Sequence, residues 1–165
     1  MLKKILTILL ALALAFSFAS CGKGQEGADS SSASQSTDEK ITSEPGQPAP
    51  DGWPKDIPTP VNGEILGGGW SPERSFYTTD IIYKQTDIDA YGERLEAFGF
   101  EKQTNHEYGE AWSDATVYSN GQWDVLVAEE NDTFEYSYVN FIPLFDAVAD
   151  GYDGQPEGWP ETGGF

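Results

Sequence analysis

Apolar residues fall along this chain in four regimes. From Ile5 to Phe18, fourteen residues carry no charge, and Lys3 and Lys4 precede them. That run is shorter than the ~20 residues a spanning helix needs, and the Gly- and Ser-rich sequence behind it carries no stop-transfer signal. It reads as the core of an export signal covering residues 1–20. Residues 21–50 show no apolar period: Gly22-Lys23-Gly24, a serine-rich run over 30–36, then Pro45, Pro48 and Pro50. Such a composition buries too little surface to offset chain entropy, and it reads as a disordered tether reaching roughly 30 Å. Residues 51–145 recover strand and helix periods and predict one compact domain. Residues 146–165 turn acidic and Gly-rich again and read as a C-terminal tail.

Within the domain, Trp53-Pro54 and Ile57-Pro58-Thr59-Pro60 predict an extended prolyl segment. Residues 63–67 and 75–84 read as strands. Residues 86–100 read as the helix: Ile88, Tyr91, Leu95 and Phe98 share one face, Thr86 or Asp87 starts it, and Gly99 with Phe100 ends it in a Schellman motif. Gly92 lies on that apolar side, which implies close approach to a sheet. Strands follow at 100–104, 111–119, 122–129 and 134–142, with Asn120-Gly121 as a hairpin turn. The expectation is an α+β fold, a mainly antiparallel sheet of about six strands in the order ββαββββ, with one helix on one face. Two-residue turns at Asn120-Gly121 and Asn131-Asp132 pair Tyr118 with Trp123 and Val125 with Tyr138. One face then holds Tyr118, Trp123, Val125, Val127, Tyr136 and Tyr138. This bulky face is expected under the helix with Trp123 at its centre. The other face holds Ala115, Val117, Leu126, Ala128, Val139 and Phe141, interrupted by Asp124, Ser113, Ser137 and Glu135.

Cysteine and charge narrow the location. Cys21 is the only cysteine. Phe18-Ala19-Ser20-Cys21 resembles the lipobox of bacterial lipoproteins, with Phe18 where the family usually has Leu. The resemblance implies a diacylglyceryl group on Cys21 and anchoring at the extracytoplasmic face of the cell membrane. A lipidated Cys21 leaves no thiol for a disulfide, a redox motif or a nucleophile. The formal charge is −19. Two of the nine basic residues lie in the signal, so the exported part is more acidic still. That field disfavours nucleic acid and favours cations and basic partners. The Trp-Pro opening, Ile57-Pro58-Thr59-Pro60, the helix end Tyr91 to Phe100 and the aromatic-rich strands resemble a family of small bacterial lipoproteins, mostly from Gram-positive lineages. The likeness covers residues 53–143. It implies the membrane location and a compact α+β domain, and it carries no catalytic residue.

Candidate chemistry is sparse. The sole histidine, His106, sits in a polar loop and no Gly-x-Ser-x-Gly is present, which argues against a serine hydrolase. One histidine cannot supply a zinc site. Gly67-Gly68-Gly69 lacks the Lys-Ser/Thr of a phosphate loop. No cofactor is implied. Glu129-Glu130-Asn131-Asp132 and Asp146, Asp150 and Asp153 offer oxygen ligands for weak calcium binding, without EF-hand spacing. Trp70, Trp112 and Tyr108 lie near loops, where they could stack on a sugar or accept a peptide. The expectation is a non-catalytic binding or interaction module. The rivals are a carboxylate-dependent enzyme acting on cell-wall glycan and an accessory subunit presenting the Trp159-Pro160 tail to an envelope complex.

Overall fold

The structure is a computed structural model that describes residues 39–105 and 108–160. Six antiparallel strands form one sheet: β1 (Glu64–Trp70), β2 (Tyr77–Ile82), β3 (Glu101–Lys102), β4 (Ala115–Ser119), β5 (Trp123–Ala128) and β6 (Ser137–Pro143). Their spatial order is β1-β2-β6-β5-β4-β3. Helix α1 (Gln85–Ala97) joins β2 to β3, so it crosses from one side of the sheet to the far edge. A short α2 (Ala147–Asp150) follows β6. The α+β class and the order ββαββββ are those the sequence predicts.

Helix α1 buries Ile88, Tyr91 and Leu95 against the sheet. Phe98, expected on the same stripe, is 44% exposed, with the Arg94 guanidinium over its ring. The helix ends as expected: Gly99 has φ 90°, and the Phe100 N–H donates to the Leu95 carbonyl at 3.0 Å. Its start is at Gln85 rather than Thr86, with Lys84 as the extended N-cap residue. There the Asp87 carboxylate accepts from the Lys84 N–H, and Glu130 accepts from the Gln85 N–H.

The face under α1 carries Tyr77, Ile81, Tyr118, Trp123, Val125, Val127, Val139 and Phe141. Two of the expected members, Tyr136 and Tyr138, are replaced there by Val139 and Phe141. The reason is register. At the first hairpin the tip moves to Gly121-Gln122, because the Asn120 carboxamide oxygen accepts from the N–H groups of Gln122 and Trp123. Tyr118 therefore faces Val125, a shift of two residues that leaves every side chain on its expected face. Between β5 and β6 the chain makes a longer loop around Asn131, whose side chain accepts from Thr133 and Phe134. Val125 then faces Phe141 instead of Tyr138, an odd shift that turns β6 over.

The helix covers only part of the core face, and the chain ends cover the rest. Trp53 packs edge-on against Phe141 with ring centroids 4.6 Å apart, and its indole N–H donates to the Ile57 carbonyl. The sequence places the domain start at Asp51, but residues 39–50 also lie on the domain. The Gln47 N–H donates to the Pro60 carbonyl, its side-chain amide donates to Val61, and the Thr59 hydroxyl donates to the Gln47 carbonyl. Buried Arg94 donates to the Ile41 carbonyl at 2.6 Å. Residues 146–160, expected as a tail, are likewise built in. The Tyr152 hydroxyl donates to the Gly52 carbonyl and accepts from the Trp70 indole, and Lys55 pairs with Asp153. Both segments are polar in composition, and their few apolar and backbone groups find partners only in the folded domain, on the prolyl opening, on α1 and on β1. Residues 21–38, the signal and Cys21 lie outside the described residues. Among the described residues no helix is long and apolar enough to cross a membrane.

Candidate functional site

The sheet has a second face that no helix of the described residues covers. Ala115, Val117, Leu126 and Ala128 are buried there, with Tyr108, Trp112, Tyr138 and Ile142 half-buried on top of them. What shields them is the described part of the β3–β4 connection, residues 108–114, which lies over the sheet as a strap, with Tyr108 and Trp112 packed on it. Trp112 sits in a single 3-10 turn, Glu110–Trp112, instead of the strand start that its apolar neighbours suggest. Its indole meets Tyr108 at 5.7 Å on one side and Phe76 at 5.6 Å on the other, both edge-on. The three rings form a continuous aromatic ladder from the strap to the start of β2.

Two carboxylates pin this arrangement. The Tyr108 hydroxyl makes a short hydrogen bond to Asp124 Oδ2, and the Tyr138 hydroxyl donates to Asp114 Oδ1 at 2.6 Å. Burial, then the bonded carboxylate, pushes each phenol well above its ordinary pKa of 10. Both tyrosines are therefore proton donors at neutral pH, and neither can act as a base. The second oxygen of Asp124, Oδ1, is buried with no protein hydrogen bond, as is Oδ1 of Asn140 on the same face.

At the margin of the strap lies a cavity of about 330 Å³, bounded by Asp124 and Tyr108 with Val117 and Leu144 as apolar walls and Gln103 and Asn105 at the rim. A neighbouring cavity of about 300 Å³ shares Leu144 and is walled by Trp123, Phe145 and Tyr152.

The three aromatics singled out from sequence separate here. Tyr108 and Trp112 stand together on the open face. Trp70 belongs to a different cluster on the core side, between Tyr77, Trp123, Tyr152 and Trp159, with its N–H spent on the Tyr152 hydroxyl. It is a packing residue. Three of the carboxylates considered for calcium are engaged otherwise: Glu130 pairs with Lys84, Asp146 caps α2, and Asp153 pairs with Lys55. Among the described residues, no group of three or more His, Cys, Asp or Glu side chains is placed to hold a metal ion. His106 lies outside the described residues. Sequence reasoning passed over Phe76, Asp114, Asp124 and Tyr138. Asp124 is one of four polar residues that interrupt the second face in the sequence reading, with Ser113, Ser137 and Glu135, and nothing local sets it apart.

Comparison with protein-family models, with curated proteins and with solved structures finds no match to this chain.

Proposed function

We propose that this chain is a lipid-anchored binding module at the extracytoplasmic face of the membrane, acting without catalysis through its open sheet face. The observation that carries this reading is the ladder Tyr108–Trp112–Phe76 beside a cavity, on the one face that lacks a helical cover. Partly exposed rings next to a few fixed polar groups are the usual composition of a ligand-binding surface. The lipobox-like end at Cys21 supports the location, and the strongly acidic composition supports display in solvent. The tail as a ligand for an envelope complex fits less well, because the Trp159 ring is already seated against Trp70 and Tyr152 within the chain.

The test is capture of envelope material from solubilised membranes by the full-length chain and by a Trp112→Ala variant. The expected result is lost capture with a nearly unchanged melting temperature, while Phe134→Ala, an exposed ring on the β5–β6 loop, captures like wild type. Equal capture by all three chains would remove the open face as the binding surface.

A further inference from the structure

We infer that the cavity of about 300 Å³ walled by Trp123, Phe145 and Tyr152 is a saccharide-binding site, separate from the open face. Trp123 is 1% exposed and borders this cavity, and its indole N–H has no acceptor among the described residues. The other indoles on the core side spend theirs: Trp53 on the Ile57 carbonyl, Trp70 on the Tyr152 hydroxyl and Trp159 on the Ala147 carbonyl. An unpartnered donor sealed in the core is costly. The Trp123 N–H is not sealed. Among the described residues, the unpartnered polar side-chain atoms closed off from solvent belong to Tyr83, Arg94, Asp124 and Asn140. The narrow part of Trp123 that solvent reaches therefore includes its N–H, and a donor held deep in the core opens on the cavity.

The rest of the wall selects the ligand. Asp56 and Asp150 border the same cavity, and among the described residues neither carboxylate makes an ion pair. The side chain of Gln122 joins them. A ligand here must accept a hydrogen bond from Trp123 and donate to the two acids. Hydroxyl groups do both, whereas an ammonium ion cannot accept and a carboxylate or phosphate is repelled. The Phe145 and Tyr152 rings stand edge-on to the indole at 5.1 and 5.6 Å, and they offer apolar surface to the C–H face of a sugar ring. Tyr152 is fixed in place, because its hydroxyl is bonded to both Gly52 and Trp70. The wall is thus preformed, and its volume suits a small ligand rather than a folded partner.

The experiment follows the indole N–H resonances of the isotope-labelled full-length chain by NMR, in a polyoxyethylene detergent that brings no sugar headgroup. The Trp123 resonance is assigned through its contacts with the Phe145 and Tyr152 rings, so no variant of this core residue is needed. The probes are cellobiose and sorbitol, the second having the hydroxyls without a ring face. The expected result is saturable movement of the Trp123 resonance with cellobiose and none with sorbitol, while the Trp53 resonance, held by Ile57, stays in place. Asp56→Ala and Asp150→Ala, both at exposed positions, should each weaken cellobiose binding about ten-fold. Asp80→Ala, an exposed carboxylate on β2, and Trp112→Ala should leave it unchanged. Absence of saturable movement at Trp123 would overturn the proposal, as would an equal response to sorbitol or an equal weakening by Asp80→Ala. Cellobiose binding lost in Trp112→Ala would place the sugar on the open face and overturn it too.

Discussion

Gly92 stands on the buried side of α1, and a Cβ built there overlaps the Tyr118 hydroxyl and lies 2.9 Å from the ring carbon that bears it. An exposed helix would gain about 1 kcal/mol from Gly→Ala. Here the ring cannot retreat, because Tyr118 is itself buried in the core. Gly92→Ala should therefore destabilise the chain by about 1–3 kcal/mol in denaturant unfolding, and Tyr118→Phe in the same chain should recover part of the loss. Trp123 is 1% exposed, with Phe145 and Tyr152 packed edge-on against its indole. Trp123→Ala should cost about 3–5 kcal/mol in the same measurement. The tyrosines define a pH limit. Burial is the leading cause that raises the hydroxyl pKa of Tyr77, Tyr83, Tyr91, Tyr108, Tyr118, Tyr138 and Tyr152 above 10. A group whose folded pKa is raised gives stability that is whole below its unfolded pKa and is lost as pH climbs from there towards the folded value. Ultraviolet titration should show most tyrosinate absorbance appearing above pH 10 in one cooperative step, together with loss of the fold. Gradual ionisation with the circular dichroism intact would contradict this.

Helix α1 has a polar first turn that would start in more than one place, and a loop far along the chain selects the start. Glu130 accepts from the Gln85 N–H at 2.9 Å and from Lys84 Nζ at 2.8 Å, while the Gln85 side chain accepts from the Glu130 N–H. Glu130 thus acts as an external cap at the positive end of the helix dipole. Its hydrogen bonds from Lys84 and Gln85 hold its pKa below the ordinary 4.5. A depressed carboxylate gives stability that is present above its unfolded pKa and is lost as pH falls through the folded one. The denaturant midpoint of wild type should exceed that of Glu130→Gln at neutral pH, and the gap should close as pH drops below 4.5. The segment 39–50 is the second case. A disordered tether over residues 21–50 would leave a chain cut at Asp51 fully stable, and the hydrogen bonds of Ile41 and Gln47 predict the opposite. Starting at residue 51 removes the Gln47 and Ile41 carbonyls and leaves buried Arg94 without its acceptor. The midpoint of that chain should fall below that of one starting at residue 39.

The two ends of the folded chain close the molecule with one device used twice. Pro50-Asp51-Gly52-Trp53 and Pro156-Glu157-Gly158-Trp159 each form a turn with a Trp N–H to Pro carbonyl bond of 3.2 Å. The third-position glycines have φ of 85° and 84°. That is a type II turn, whose third position demands a left-handed residue. The turns abut, since a Cβ on Gly52 would stand 3.3 Å from Pro156. The second turn seats Trp159 among Trp70 and Tyr152 with Arg74 stacked above it at 4.4 Å. Ending the chain before residue 156 should expose the Trp70 and Trp123 environment, seen as a red-shifted tryptophan emission and a lower melting temperature. The proposed lipid anchor predicts that Cys21→Ala releases the chain into the soluble fraction. Two acyl chains anchor stably at about 0.8 kcal/mol per buried methylene, and an acidic domain has no headgroup affinity of its own.

Sequence alone determined the elements whose signals are local. The period of Ile88, Tyr91 and Leu95, the Gly99-Phe100 stop and the alternation in β4 and β5 each depend on neighbours within a few residues. So the class, the strand order along the chain and the Trp123 side of the sheet were legible. The lengths of the two hairpin loops were not. An asparagine carboxamide competing for backbone N–H groups moved one tip by a residue and stretched the other loop, and an odd offset was enough to turn Tyr138 from the core to the open face. Only the tertiary structure decided what Trp70, Trp112 and Tyr108 do, because a ring beside a loop reads the same whether it meets solvent or another ring. It also recruited the Pro-rich opening and the acidic end into the fold. Those segments have too few apolar groups to declare themselves by pattern, and their partners, Pro60 and Gly52 in the opening, Arg94 on α1 and Trp70 on β1, come together only in the finished fold. The candidate site stands where long-range register and a strap of irregular chain meet, and neither leaves a period in the sequence.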